Sequence, residues 1–160
     1  MKSRIAIYPG SFDPITNGHM DIIRRGLEIF DRVIIAVARN SEKNSLFSVQ
    51  DRVALIDLLI EDNPQLEVDT FDGLLVDYVV SRKASVILRG LRAVSDFEYE
   101  FQLAQMNRSI SQQVETLFMM TSTQNAYLSS SIVKEVASLG GDIDKFVPPQ
   151  IAEELRKKYR

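Results

Sequence analysis

The sequence predicts an α/β fold in one domain over residues 1–160: a doubly wound, five-stranded parallel sheet with helices on both faces. Three observations predict it. Five short β-branched runs recur along the chain, stretches of helical spacing lie between them, and 160 residues suit one domain on a prior of roughly 150 residues each. The runs are 4–8, 33–38, 66–70, 85–88 and 114–118, and each reads as a buried strand, because a continuous apolar run suits a sheet covered on both sides. A first helix is expected from about Gly18. A second starts at Ser48, with Asp51 three residues on as a variant capping box, and carries Val53, Ile56, Leu59 and Ile60 on one face. A third carries Phe97, Phe101 and Ala104 on one face. The fourth starts in the serines 129–131 and closes at Gly140-Gly141, and the fifth starts at Pro148-Pro149, which gives five helices. In such a sheet ligands bind beyond the strand C-termini, so the segments that follow the strands are where chemistry is to be sought.

Composition narrows the function. With 45% hydrophobic and 26% charged residues the chain can bury a core, which excludes intrinsic disorder. Nineteen Lys and Arg against 22 Asp and Glu leave a net charge of -3, opposed to binding a nucleic-acid backbone or an anionic membrane. Any anion site must then be a local cluster of cations. No cysteine is present, which excludes a disulfide scaffold, a thiol nucleophile and thiolate zinc sites. The single histidine, His19, excludes multi-histidine metal centres, and no residues are assigned as metal ligands. The longest apolar run, 33–38, falls far short of the ~20 residues that cross a bilayer. The segment MKSRIAIYPG lacks a secretory h-region, so a cytoplasmic location is expected. Glycines at 10, 18, 26, 73, 90, 140 and 141 build neither GxGxxG nor GxxxxGK[ST], which disfavours a dinucleotide dehydrogenase and a P-loop kinase. The basic end, residues 156–160, reads as a solvated last helical turn.

Four segments carry candidate chemistry. After the first strand, residues 9–19 run Pro-Gly-Ser-Phe-Asp-Pro-Ile-Thr-Asn-Gly-His into a helix start. Glycines there let backbone approach a ligand, and helix N–H groups suit a phosphate, with His19 as a hydrogen-bond donor. Taken alone, the segment reads equally as a turn-rich loop with an early-helix histidine. After the fourth strand, Arg89 and Arg92 bracket Gly90-Leu91, and guanidinium groups grip phosphate bidentately. After the fifth, Asn125, Ala126, Tyr127 and Leu128 lead into Ser129, Ser130 and Ser131, whose hydroxyls and helix-start N–H groups suit an anion or simply cap the helix. In the polar loop after the second strand, Lys43 by itself reads as a solvated lysine.

Thr16-Asn17-Gly18-His19 after a strand ending in Pro-Gly resembles the (H/T)xGH signature of the nucleotidylyltransferase α/β superfamily. The longer strings 6–19, 87–100 (ILRGLRAVSDFEYE) and 129–136 (SSSIVKEV) are similar to the phosphopantetheine adenylyltransferase family, in order and along essentially the whole chain. The resemblance implies a Rossmann-like nucleotidylyltransferase fold and transfer of the adenylyl group of ATP to 4'-phosphopantetheine. It implies that Ser11, Lys43, Leu75 and Arg89 bind phosphopantetheine, Leu75 largely through its backbone. It implies an ATP site of Ser11, Phe12, His19, Gly90, Leu91, Arg92, Glu100, Asn125, Ala126, Tyr127, Leu128, Ser129, Ser130 and Ser131, and catalytic roles for Ser11, His19, Lys43 and Arg92. It further implies Mg2+ on ATP, a homohexamer, and coenzyme A as a feedback inhibitor. Ser11 stands where some members carry Thr, and Leu128 where the family often carries Ile.

A phosphate monoester has a second pKa of about 6 and is already dianionic at neutral pH, so no general base or covalent intermediate is expected. Catalysis then rests on positioning and charge stabilisation. Adenylyl or cytidylyl transfer to another phosphate monoester is the nearest rival reading. A non-catalytic nucleotide sensor on the same fold is the rival from another class.

Overall fold

The computed structural model describes residues 3–40, 44–92 and 94–160, with 94 and 95 as helix backbone. Five strands alternate with helices: β1 Ile5–Gly10, α1 Asn17–Ile29, β2 Arg32–Ala38, α2 Val49–Ile60, β3 Leu66–Phe71, α3 Leu75–Ser81, β4 Val86–Leu91, α4 Val94–Ile110, β5 Glu115–Met120, then a 3-10 turn Thr123–Asn125, α5 Ser130–Ser138 and α6 Pro149–Lys158. All strand pairs are parallel, in the order β3-β2-β1-β4-β5. The chain reverses its direction of travel across the sheet between β1 and β4, and such a switch point is where a crevice opens.

The register shows how it opens here. β1 pairs with β2 as far as Gly10 with Val37, and β4 with β5 as far as Leu91 with Met120. Between β1 and β4 the pairing stops at Ile7 with Ile87. Pro9, which has no N–H to give a ladder, lies just past that point, and its carbonyl accepts from Arg89 Nη1 at 2.9 Å. The two central strands thus part over their last residues, and side chains enter the gap.

Two apolar layers cover the sheet. On one face Tyr8, Ile22, Ile23, Val33, Ile35, Ile56, Val133, Ile151 and Leu155 form a continuous core under α1, α2, α5 and α6. On the other, Ile7, Ile34, Ala36 and Ile87 pack with Val76 and Val79 of α3. Local signals hold as expected: Ser48 and Asp51 form a reciprocal capping box, Gly140 takes a positive φ just past α5, and Pro149 opens α6.

Four expectations need correction. β1, β4 and β5 run two or three residues further at their C-terminal ends, because ladder pairing carries Gly10, Gly90 and Leu91 beyond the β-branched runs, while β2 ends at Ala38 as expected. β3 and β5 are sheet edges and only partly buried. Among the described residues there are six helices rather than five: α3 spans seven residues, too short for a helical period to stand out. Phe97 and Phe101 of α4 are each 46% exposed, since α4 turns Glu100 inward and leaves its aromatic side facing out.

Candidate active site

A cavity of about 300 Å³ fills the gap between β1 and β4, closed by the start of α1, by Asn125 and Leu128, and by the start of α5. On the β1 side, Phe12 has a φ of 48°, in the left-handed region, which aims its ring back under the loop. A Cβ on Gly10 would sit 3.1 Å from that ring, so a glycine is what lets the ring lie there. The ring meets His19 edge-on, with centroids 5.1 Å apart, and meets Tyr8 at 5.4 Å. The Ser11 carbonyl is held by Arg52 Nη1 at 2.6 Å. Asp13, 2% exposed, accepts from the N–H groups of Leu46 and Phe47 and from Lys134 Nζ at 2.9 Å, tying three segments together beneath the loop.

Thr16 and His19 cap α1 reciprocally. The Thr16 hydroxyl accepts from the His19 N–H, while the Thr16 N–H donates to His19 Nδ1 at 2.9 Å. An accepting Nδ1 places the neutral ring's proton on Nε2. That N–H has no protein acceptor among the described residues, and the ring lines the cavity. Burial, then the charges of Arg92 and Arg89, lower the His19 pKa to about 4, so the imidazole is neutral in the free protein.

Both arginines are anchored. Arg89 donates Nε to Glu100 Oε2 at 2.9 Å and Nη2 to Oε1, a bidentate pair with Glu100 only 8% exposed. Arg92 donates Nη1 to the Leu128 carbonyl at 2.6 Å and pairs with Asp96, one helical turn on. Gly90 lies against α1, where a Cβ would come within 3.2 Å of Ile22. Of the three serines, Ser129 accepts from the Ile132 N–H as N-cap and Ser130 donates to the Pro14 carbonyl at 2.7 Å. What remains for a ligand is the Ser131 hydroxyl and the first N–H groups of a nine-residue helix, at the positive end of its dipole.

A second cavity of about 350 Å³ adjoins the first on the opposite side of Arg89. It is a groove between α3 and α4, walled by Leu75, Leu103, Ala104 and Ile87 and ending at Asn107 and Thr116. Pro9, Gly10, Ser11, Arg89, Tyr99 and Glu100 line both spaces. The arrangement joins a pocket rich in anion-binding groups to an apolar groove through one arginine and one serine.

Of the residues expected from sequence, Ser11, Phe12, His19, Arg89, Gly90, Arg92, Glu100, Asn125, Leu128 and Ser129 to Ser131 line the first cavity, and Leu75 the second. Leu91, Ala126 and Tyr127 do not line it; Tyr127 is 60% exposed and packs edge-on against Phe146. Lys43 lies outside the described residues. The structure adds Tyr8, Thr16, Ile22, Asp96, Tyr99 and Thr121. The strand-end rule points to Tyr8 and Thr121, and helical spacing from Arg92 points to Asp96.

The geometry has counterparts among known proteins. Residues 7–136 match the family model described as cytidylyltransferase-like. The chain is 68% identical over 159 residues to the phosphopantetheine adenylyltransferase of Geobacter metallireducens, a match covering 99% of this chain and 98% of that protein. It is 67% identical over 159 residues to the enzyme of the same name from Geobacter sulfurreducens, covering 99% and 97%. Among solved structures it is similar to Plasmodium falciparum nicotinic acid mononucleotide adenylyltransferase complexed with NaAD, with a TM-score of 0.72 at 17% identity, covering 99% of this chain and 96% of that one. That likeness concerns the fold.

Proposed function

The chain belongs to the phosphopantetheine adenylyltransferases, within the cytidylyltransferase-like family, and from that premise we propose how its two cavities divide the reaction. The activity is transfer of the adenylyl group of ATP to 4'-phosphopantetheine, giving dephospho-coenzyme A and pyrophosphate on the way to coenzyme A. One observation carries the division: the polar cavity and the apolar groove meet at Arg89 and Ser11. The groove suits the pantetheine arm along Leu75, and the polar cavity suits ATP. The acceptor's phosphate then lies at the junction.

An oxygen of that phosphate attacks the α-phosphorus in line, while the bond to the bridging oxygen breaks and pyrophosphate leaves. The dianionic monoester needs no base, and the neutral His19 is poised as a hydrogen-bond donor through Nε2–H rather than as a base. Ser11 and Arg89 hold the attacking phosphate. His19 Nε2–H stabilises charge on the α-phosphoryl oxygens, together with Lys43. Arg92 and the first turn of α5 hold the pyrophosphate. Phe12, Gly90, Asn125 and Leu128, which line the polar cavity, flank the nucleotide. Glu100, in its bidentate pair, serves to fix Arg89 at the acceptor phosphate.

No cluster of three or more His, Cys, Asp or Glu fit to hold a metal occurs among the described residues. The carboxylates at the cavity, Asp96 and Glu100, are both engaged by arginines. The donors left for Mg2+ are the ATP phosphates and water, which suits an ion that keeps its waters. Such an ion neutralises phosphate charge when bound. Coenzyme A shares the adenylate and pantetheine groups, so it fits both cavities at once as a feedback inhibitor. All 160 residues are read as one nucleotidylyltransferase domain. No described helix is long and apolar enough to cross a membrane, in keeping with a cytoplasmic enzyme. The outward apolar side of α4 is the surface expected to bury itself in a homohexamer.

The test is pyrophosphate release from Mg-ATP with 4'-phosphopantetheine, nicotinamide mononucleotide or pantothenate as acceptor. Release with 4'-phosphopantetheine alone, with dephospho-coenzyme A formed, is the expected result. Release with another acceptor overturns the substrate, and ATP binding without any release overturns the reaction.

A further inference from the structure

One polar group in the cavity has no part in the reaction described above. Tyr8 lies on β1 just past the last pairing with β4, where the two strands part, and it lines the polar cavity. It is 5% exposed, yet its hydroxyl has no hydrogen-bond partner among the described residues. The hydroxyl is not sealed in the core but opens to the cavity, where a ligand can accept its hydrogen bond. The ring is fixed by Phe12 at 5.4 Å and is tilted against His19 at 6.4 Å. The charges of Arg89, on β4, and of Arg92, just past its end, both act on it.

We propose that Tyr8 is a further ligand-binding residue, whose Oη donates a hydrogen bond to a phosphoryl oxygen held between Arg89 and Arg92. Burial keeps the phenol protonated well above its usual range, outweighing both arginines, so it is a donor at every working pH. A neutral donor there complements two guanidinium groups already committed in part to Glu100 and Asp96. The placement deepens the adenylyltransferase reading and rests on it for the identity of the phosphates.

Tyr8→Phe removes the hydroxyl and keeps the ring contacts. Titration of pyrophosphate into wild type and variant reads the contact directly. About tenfold weaker binding is expected, from the loss of one hydrogen bond to a charged acceptor, with an unchanged melting temperature of the free protein. Affinity within about twofold of wild type overturns the proposal. A crystal structure of the wild type with pyrophosphate gives an independent reading: Oη within hydrogen-bond distance of a phosphoryl oxygen supports it, and Oη on any other partner overturns it. Should the wild type bind pyrophosphate yet form no dephospho-coenzyme A, the reaction assignment fails, and the Tyr8 contact is still decided by the titration.

Discussion

At His19 one hydrogen bond sets the tautomer on which its proposed catalytic role rests. Because Nδ1 is spent on the Thr16 N–H, the ring presents Nε2–H to the cavity, and burial beside Arg92 and Arg89 keeps it neutral down to a pKa of about 4. His19→Ala should lower turnover by about 100-fold, the effect of losing one preorganised donor to the transition state; turnover near wild type in the folded variant rules that role out. The same shift predicts a pH effect on stability. The unfolded histidine titrates near 6.5, so between that value and about 4 the unfolded chain takes up a proton that the folded chain refuses. Stability contributed by neutral His19 is present above pH 6.5 and is lost as pH falls through this window. Denaturant titrations from pH 7 to pH 4.5 should show wild type losing more stability than His19→Gln, and parallel curves would refute it. Arg89 gives a third expectation: Arg89→Lys cannot keep the bidentate pair with Glu100 and should weaken phosphopantetheine binding more than ATP binding. Equal losses by calorimetry count against its placement at the acceptor phosphate. His19, Arg89 and Arg92 were legible in sequence because few residue types meet polyanions. That Ser129 and Ser130 spend their hydroxyls on the helix cap and on Pro14 was not, since those partners exist only once the chain has folded.

Elements place these residues through their ends. α1 begins where Thr16 caps it, and the cap that starts the helix also aims the histidine. Thr16→Val keeps the shape and removes the hydroxyl, leaving the His19 N–H unpaired at the helix start. A loss of about 1 kcal/mol is expected in denaturant unfolding, along with a fall in kcat; lost stability with unchanged kcat would separate the cap from catalysis. The caps at Thr16 and Ser48, the glycine stop after α5 and the proline start of α6 are local in sequence, and could be read there. The ends of β1, β4 and β5 were misjudged because ladder pairing depends on the neighbouring strand. Gly10 pairs beside Val37 and Gly90 beside Met119, although neither glycine favours a strand on its own. α3 escaped because its two buried residues, Val76 and Val79, make only one helical repeat.

At the scale of the whole molecule, α4 poses a problem that one chain does not solve. Phe97, Phe101 and Ile110 are 46%, 46% and 50% exposed, Met106 is 60% exposed, and Met120 on the neighbouring edge strand is 78% exposed. Sequence periodicity marked this helix as amphipathic, and the assignment of its aromatic side to the core failed because a helix face reads the same whether it buries within a chain or between chains. These exposed apolar side chains lie on two flanks of α4 rather than in one stripe, with Glu98, Gln102 and Gln105 between them, and association removes them from water, which is the physical ground for the proposed hexamer. The same helix walls the apolar groove proposed for the acceptor with Leu103, Ala104 and Asn107, so burying its outer side also steadies its inner one. Met106→Asp places a charge in the outward face without touching either cavity. Sedimentation velocity should show the variant as a smaller species than wild type. Calorimetry on that species should show phosphopantetheine binding weakened more than ATP binding, because only the groove depends on α4 along its length. An unchanged sedimentation coefficient would place the subunit contact elsewhere, and smaller particles with both affinities intact would separate assembly from the site.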